Sequence, residues 1–405
     1  MASRRRQLAI LVLGMFFLTL GFSVIMPILP YYSRNLGATA LDLGLLMASY
    51  SVMQFLVTPF WGELSDRVGR KPVFMIGLFG YGASFIVYGV ASQLWMLFAA
   101  RMLSGLLSGG LYPASLAYIA DITEHKDRGR IMGLLGASSG LGMIFGPSVA
   151  GVLSHWGLAA PFFATAAAAF VFGALSYFLL EESRSVDAHR LRHRIALADP
   201  LRTPLGIMFV LTLLVALLIS GFQSMFAYYM MGRFGMGDAP APMPVLGGSA
   251  MLTGPAVVAF LFTVMGIAGV VCQGALLGRF IRGIGERRTV LAGMAISAAS
   301  FFLLLLSPEL ASIMLAASGI SVGTGLATPC LNSLVSRHTD EEHQGATMGV
   351  LGSYGSLGRI AGPPLCGLAF DAFMGLPYAL LGMLSAAGAV AVMATARRLK
   401  PGKGK

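Results

Sequence analysis

Apolar runs of about 20 residues recur along the whole chain and constrain its fold more than any other feature. A run of this length spans the hydrocarbon core of a bilayer as one α-helix. Lipid offers the backbone no hydrogen-bond partners, and continuous apolar runs favour helices because the strands of a membrane barrel would alternate apolar and polar residues. We therefore predict an all-α integral membrane protein. Its twelve transmembrane helices are expected near residues 7–29, 41–62, 73–91, 94–118, 130–153, 160–180, 204–230, 254–279, 289–307, 309–335, 344–370 and 375–396.

The charged residues support this assignment and predict an orientation. They make up 11% of the chain, whereas a soluble domain carries about 25%. If both termini are cytoplasmic, 24 of the 28 Lys and Arg residues lie on that side; Arg34 and Arg233 lie opposite, and Arg101 and Arg359 lie inside helices. Because positive charge collects on the cytoplasmic side, we expect a multi-pass protein of the cell inner (plasma) membrane. The net charge of +11 then faces membrane lipid, and it indicates no nucleic-acid partner.

The chain also repeats itself. A shift of 216 residues places Gly146-Pro147 on Gly362-Pro363 and Pro113 on Pro329. We therefore expect two pseudo-symmetric six-helix bundles. The N-terminal half is predicted at 1–183, a cytoplasmic linker at 184–203, and the C-terminal half with a short basic tail at 204–405.

A charged cluster interrupts the apolar sequence after the second run. It has the spacing G-x-x-x-D-R-x-G-R-K, formed by Gly62, Asp66, Arg67, Gly69, Arg70 and Lys71. This spacing resembles the loop between helices two and three of major facilitator superfamily transporters. The resemblance implies a gating latch that favours the state closed to the cytoplasm, with Asp66 near the start of helix eleven, where a helix N-terminus favours a carboxylate. A solvated turn that obeys the positive-inside rule is the simpler alternative.

The fifth run carries small residues at helical spacing. They are Gly136, Gly140, Gly142, Gly146, Pro147 and Gly151. Small residues let helices approach closely, and a proline bends its helix. The series resembles the G-x-x-x-G-P-x-x-G motif of exporters in the drug/proton antiporter group, although Val152 stands where glycine is usual. The resemblance implies export, whereas a pure packing motif would carry no information about direction.

The fourth run contains Arg101 and Gly105, which match the R-x-x-x-G motif of the same family. A charge at this depth is costly, so Arg101 should face protein or water. The resemblance implies a role in coupling to protons or substrate. A packing arginine bonded to backbone carbonyls is the alternative, and both interpretations stay open.

Other polar and aromatic side chains in the predicted helices are candidates for a substrate cavity between the halves, because polar residues at membrane depth usually face inward. They are Phe22, Gln54, Tyr112, Gln223, Tyr228, Asn332 and Arg359. Each one alone could instead join two helices by a hydrogen bond.

Arg359 is the least expected charge. It lies at about the depth of Gln54, so it could clamp helix eleven to helix two or bind a substrate anion. Gly352, Gly355 and Gly362 surround it. Because small residues permit close helix contact, we favour the clamp.

The coupling ion of such a transporter is expected to be the proton, with no cofactor. Relatives often carry acids on helices seven and ten, but the matching positions here are Gln223 and Gly325, and all 17 acids lie in loops or near helix ends. Coupling is therefore predicted to be weak or to use peripheral acids, namely Asp42, Glu63, Asp66 or Asp121.

The sequence predicts no metal site and no catalytic residues. Cys272, Cys330 and Cys366 all lie inside predicted helices, where a cysteine acts as a small apolar residue. Since no nucleophile triad, phosphate loop or metal-ligand cluster is present, we do not expect an enzyme.

The segment from Asp42 through Gln54 to Pro59 resembles bacterial multidrug and fluoroquinolone exporters, and the similarity, which extends to tetracycline exporters, covers nearly the whole chain. It implies a monomeric secondary transporter that exports amphipathic, drug-like or antibiotic-like small molecules by alternating access, coupled to protons. One alternative is an Arg-lined carrier for an anionic solute or lipid without proton coupling. Another is a membrane receptor or enzyme that uses this scaffold without transport.

Overall fold

A computed structural model describes residues 2–183, 197, 199–202, 205–245, 248–340 and 343–394. The predicted linker at 184–203 lies outside the described residues except for 197 and 199–202, and the basic tail beyond 394 lies outside them too. The helices of the N-terminal half are α1 (Ala2–Asn35), α2 (Ala40–Val68), α3 (Arg70–Gly89), α4 (Leu94–Ser108), α5 (Leu111–Ile122), α6 (His125–Leu153) and α7 (Ala160–Leu179). Those of the C-terminal half are α8 (Gly206–Phe234), α9 (Gly254–Val271), α10 (Leu277–Ile284), α11 (Glu286–Leu306), α12 (Leu310–Arg337), α13 (Gln344–Ala372) and α14 (Leu376–Ala394). Short 3₁₀ turns lie at Ser154–Trp156 and Asp199–Arg202.

These fourteen helices of the described ranges form twelve spans, because two spans are broken. The fourth span bends at Gly109 and Gly110, between α4 and α5. The eighth passes from α9 to α10 through one π-helical turn, Cys272–Leu276. The all-α membrane fold predicted from the sequence is confirmed.

Eleven of the described spans are long and apolar enough to cross a membrane. The exception is α13, whose sequence is diluted by Gly352, Gly355, Gly358 and Arg359. A helix of low hydropathy in this fold should face protein or water more than lipid. Its composition therefore predicts a place at the interior of the protein.

A short β-hairpin, which was not predicted, precedes α9. Strand β1 (Ala241–Val245) pairs antiparallel with β2 (Gly248–Leu252), with Ala241 opposite Leu252. Pro242 and Pro244 lack the N–H that a central strand needs, so an isolated two-stranded ribbon suits them. Met243 is fully buried and ties the hairpin to the helices beneath it.

Each half is held together by a glycine contact between its first and fifth spans. In the N-terminal half α6 packs on α1, where a side chain added at Gly146 would lie 2.5 Å from the carbonyl oxygen of Leu20. In the C-terminal half α13 packs on α8, and a side chain at Gly362 would lie 2.7 Å from the carbonyl oxygen of Leu217. The sequence repeat is thus also a repeat of contacts.

The halves touch near one end of the molecule, which we call the hairpin end because it carries β1 and β2. Here Gly44 of α2 lies against the backbone of Pro363, and Gly367 of α13 lies against the backbone of Ala40. On the other side of the bundle Gly151 of α6 meets the Ala259 side chain of α9.

The opposite end carries the charged segment Gly62–Lys71, which the structure places on the last turns of α2, on Gly69 and on the first turn of α3, and not in an extended loop. We keep the name charged loop for this segment and call this end the basic end. Glycines of α2, α6, α10 and α13 near this end face open space, with no atom within 4 Å of an added Cβ. They are Gly62, Gly129, Gly133, Gly136, Gly278, Gly345, Gly349 and Gly352. The same helices that meet the other half near the hairpin end therefore present uncovered surfaces near the basic end.

This packing predicts opposite effects for two glycines of one helix. Gly146→Ala would press a methyl group against α1, and we expect a loss of about 1–3 kcal/mol of stability, the usual effect of overpacking. Gly136→Ala adds a methyl group in open space and should be neutral or stabilising by up to about 1 kcal/mol, because alanine favours helix over glycine. Thermal midpoints of the two purified variants test this, and equal midpoints would contradict the packing.

Candidate functional site

A cavity of about 300 Å³ lies between the spans of the C-terminal half. Its walls come from α8, α9, α12, α13 and the π turn between α9 and α10. Its apolar lining includes Val215, Ile219 and Leu331. The polar and charged side chains that line it are Thr212, Gln273, Ser321, Thr324, Thr328 and Arg359.

Arg359 is the one charged residue of this lining. Its Nη2 donates to Oγ of Ser356, one turn earlier on α13, at 2.9 Å, and the side chain is exposed to the open space. Among the described residues it makes no hydrogen bond to α2 and no ion pair. The clamp to α2 favoured by the sequence therefore finds no support among these contacts and stays a prediction. The glycines around Arg359 serve other contacts: Gly362 packs on α8, and Gly352 faces open space.

Gln273 was missed by the sequence analysis, although it stands alone in an apolar run just as Gln54 and Gln223 do. It belongs to the π turn of the eighth span, and such turns often occur at functional sites because they redirect a side chain. Nε2 of Gln273 lies 3.6 Å from the position of a Cβ added at Gly325, which is an ordinary van der Waals distance. A neutral amide from another helix thus lies beside Gly325.

Tyr50 organises the facing wall of the N-terminal half. Its hydroxyl lies 3.3 Å from Oγ of Ser108 and accepts a hydrogen bond from Nε2 of Gln54 at 3.3 Å. The ring of Phe22 packs on it at 5.5 Å between centroids. The candidates Phe22 and Gln54 are therefore brought together by a residue that was not singled out as a candidate itself.

Arg101 is buried behind Tyr50, with its guanidinium 5.4 Å from the centre of the tyrosine ring. Nη2 lies 2.7 Å from the sulfur of Met47, while Nε and Nη1 have no hydrogen-bond partner in the described part of the chain. Gly105 lets α4 approach α2, because an added Cβ would lie 2.5 Å from the carbonyl oxygen of Tyr50. Arg101 and Arg359 both act electrostatically on Tyr50.

The other candidates lie elsewhere. Tyr228 is buried and donates to the carbonyl oxygen of Ala38 at 3.2 Å, so it belongs to the contact between the halves at the hairpin end. Tyr112 and Asn332 are exposed and Gln223 is half-buried. None of these three lines the cavity.

The contact at the hairpin end also uses charged groups. Asp371, near the end of α13, accepts hydrogen bonds from the backbone N–H groups of Ala40 and Leu41 at 3.1 and 3.0 Å. A carboxylate is favoured at a helix N-terminus because that end carries a partial positive charge. Asn35 donates to the carboxylate of Asp238 at 2.6 Å. We call these contacts, with that of Tyr228, the outer seal.

At the basic end the charged loop is bonded within its own half. Arg70 pairs with Asp66 at 2.5 Å and with Asp121 at 3.2 Å. The carboxylate of Glu182 accepts from the backbone N–H groups of Arg70 and Lys71 at the start of α3. Gly69 has φ of +109°, which a residue with a side chain rarely adopts. The predicted contact of Asp66 with the start of helix eleven stays a prediction for a state in which this end closes.

The exposed members of the loop lie beside it. Arg67 pairs with Glu63 one turn earlier at 2.6 Å, and the ammonium of Lys71 lies 5.1 Å from the ring centre of Tyr177.

The glycine motif of α6 serves two neighbours. Gly142 and Gly146 contact α1, and Gly151 contacts α9. A Cβ added at Gly140 would lie 4.0 Å from Cγ2 of Val270, which also belongs to α9. Pro147 lies inside the helix between these groups. Gly136 faces open space. The motif therefore joins the two halves as well as packing one of them.

Comparisons with known proteins agree with this architecture. The sequence model of the Major Facilitator Superfamily matches residues 11–271 and 253–405. Multidrug resistance protein 2 of Bacillus subtilis is 27% identical over 94% of this chain and 92% of its own length. Tetracycline resistance protein, class C, of Escherichia coli is 32% identical over 85% of this chain and 84% of its own.

Among solved structures, a bacterial homologue of the human lysosomal transporter Spinster, in an inward-facing and occupied conformation, has the same fold. Its TM-score is 0.79 at 15% identity, with 98% of each chain covered. The family match over most of the chain, the relatives and the shared fold lead to one conclusion. The chain is a transporter of the Major Facilitator Superfamily and belongs to its drug-efflux family.

Proposed function

We propose that this protein exports amphipathic, drug-like small molecules across the bacterial plasma membrane by alternating access. The observation that carries the proposal is the asymmetry of the contact between the halves. Near the hairpin end the backbones of α2 and α13 touch, while glycines of both helices near the basic end face open space. In transporters built from two repeated halves, access alternates as one half rocks against the other.

The direction of transport follows from the orientation. We place the basic end in the cytoplasm, because positive loop charge stays on that side of a membrane. The cavity is then open to the cytoplasm and sealed from the outside. A substrate that enters from the cytoplasm and leaves when the outer seal opens is exported. The names of the relatives, which denote resistance to multiple drugs and to tetracycline, support this direction.

The chemistry of the cavity supports an amphipathic substrate. Its walls are largely apolar, with a few polar groups such as Thr212 and Gln273. Sites of this kind bind ligands by apolar contact and orient them by a small number of polar groups. No acidic residue occurs in the cavity lining, so the site gives no preference to cations.

Weakening the outer seal should shift the transporter toward the state open to the outside. Asp371→Asn removes the charge that caps α2, and contacts made in one state only bias the equilibrium. A charge at a helix N-terminus contributes about 0.3–1 kcal/mol, so we expect about a two- to fivefold rise of the outward-open population. Spin labels at exposed Trp156 and Leu306, with the native cysteines replaced, report the distance between the halves at this end.

The matched control is Glu309→Gln. Glu309 caps α12 near the same end, but within one half. Its removal should leave the distance distribution unchanged. If Glu309→Gln and Asp371→Asn change the distribution equally, or neither changes it, Asp371 does not hold the halves together.

The charged loop should act on the opposite transition. Closure of the basic end is proposed to bring Asp66 to the start of α13, so Asp66→Asn would remove a contact between the halves in the closed state, whereas its pair with Arg70 lies within one half. We therefore expect the mean distance at this end to lengthen. Spin labels at Gly133 and Gly278, which face open space on opposite halves, measure it. Glu63→Gln is the control, because Glu63 pairs with exposed Arg67. An unchanged distribution with normal transport for Asp66→Asn would remove the latch from the mechanism.

Proton coupling should be weak. A tightly coupled antiporter converts one pH unit into about tenfold accumulation for each proton exchanged. Without a carboxylate in the cavity lining, we expect well under tenfold in proteoliposomes with an imposed pH gradient. Tenfold accumulation would reject weak coupling. If it persisted after neutralising Asp42, Glu63, Asp66 and Asp121 together, the peripheral acids would be excluded as well.

A further inference from the structure

The polar groups of the cavity differ in whether they retain a free hydrogen-bond donor for a ligand. The hydroxyls of Thr212, Thr324 and Thr328 donate to carbonyl oxygens of their own helices at 2.9, 2.9 and 3.0 Å. Ser321 donates to the carbonyl oxygen of Met265 at 2.8 Å. These four hydroxyls have therefore used their single donor hydrogen.

Two side chains of the lining retain free donors. A guanidinium has five N–H hydrogens in a planar fork, and Arg359 uses one of them on neutral Ser356. The amide of Gln273 makes no hydrogen bond within the described ranges, and its Nε2 is turned toward Gly325. The uncommitted donors of the cavity thus come from α13 and from the π turn.

The charge around these donors is uncompensated. Arg359 has no acidic partner among the described residues, and Arg101, behind Tyr50 on the other half, has none there either. A guanidinium remains charged at every accessible pH. Unpaired charge at membrane depth is costly, so the open cleft attracts an anion and repels a cation.

We propose that Arg359 and Gln273 form a subsite for a carboxylate group, so that the preferred substrates are amphipathic carboxylates. The guanidinium fork presents paired N–H groups that match the two oxygens of a carboxylate, and the Gln273 amide adds a donor from a second wall. The apolar body of the ligand lies against Val215, Ile219 and Leu331. This inference rests on the proposed function, because it assigns the subsite to part of an exported molecule.

The test compares three ligands that share one naphthyl-alkyl body and end in a carboxylate, a carboxamide or an amine. Equilibrium binding is measured on the full-length protein in phosphatidylcholine nanodiscs, with empty nanodiscs as the blank. The uncharged lipid surface keeps membrane electrostatics out of the comparison. The variants are Arg359→Gln, Arg359→Lys and Gln273→Leu. The control is Arg279→Gln, which removes an exposed cation of α10 that donates to the Ala275 carbonyl oxygen in the turn before it.

We expect the unmodified protein to bind the carboxylate about tenfold more tightly than the carboxamide, the size of one hydrogen bond to a charged group. Arg359→Gln should abolish this preference and leave carboxamide binding within about twofold. Arg359→Lys should keep part of the preference, because it keeps the charge without the fork. Gln273→Leu should weaken only the carboxylate, and Arg279→Gln should change nothing.

Equal binding of the carboxylate and the carboxamide, or no binding of the carboxylate, would overturn the subsite. So would an equal loss of all three ligands in Arg359→Gln protein that elutes as a folded monodisperse species, because a helix clamp predicts that result. Transport of the same ligands into inside-out vesicles separates this proposal from the exporter function. Selective carboxylate binding without transport would retain the subsite and reject the exporter function. Transport without charge preference would retain the exporter function and reject the subsite.

Discussion

The close approach of α6 to α1, and of α13 to α8, is the constraint on which the rest of the structure depends. Lipid chains are as apolar as the side chains that face them, so helices in a membrane associate mainly through close packing and hydrogen bonds. Gly146 and Gly362 provide that packing at equivalent positions of the two halves. The hydroxyl of Ser23 adds a hydrogen bond to the carbonyl oxygen of Gly142 at 2.9 Å.

These packed helices also form the contact between the halves. One face of α6 is held by α1 while another meets α9, and α13 is held by α8 while it meets α2. Each half is therefore packed as one unit, and the halves touch near the hairpin end. Under the proposed rocking of the halves, the glycines near the basic end that face open space are the surfaces that would come into contact.

Charges of opposite sign have separate places in the molecule. Carboxylates stand at helix N-termini, as Asp371 does for α2, Glu182 for α3 and Glu309 for α12. Such positions stabilise a carboxylate without a cationic partner. Arg101 is buried against Tyr50, and Arg359 lines the cavity of the C-terminal half. These acids thus lie at helix ends, whereas the two arginines lie along the helices.

The sequence by itself determined the membrane class, the helical content, the superfamily and the repeat, because the length of apolar runs and the spacing of glycines are local properties of the chain. Only the tertiary structure decided which donors remain free: Gln273 belongs to a π turn and lines the cavity with its Nε2 beside Gly325 of another helix. It also decided that Arg359 bonds Ser356 of its own helix, since contacts of α13 with a distant helix depend on how far apart the halves stand. No local pattern of residues sets that distance.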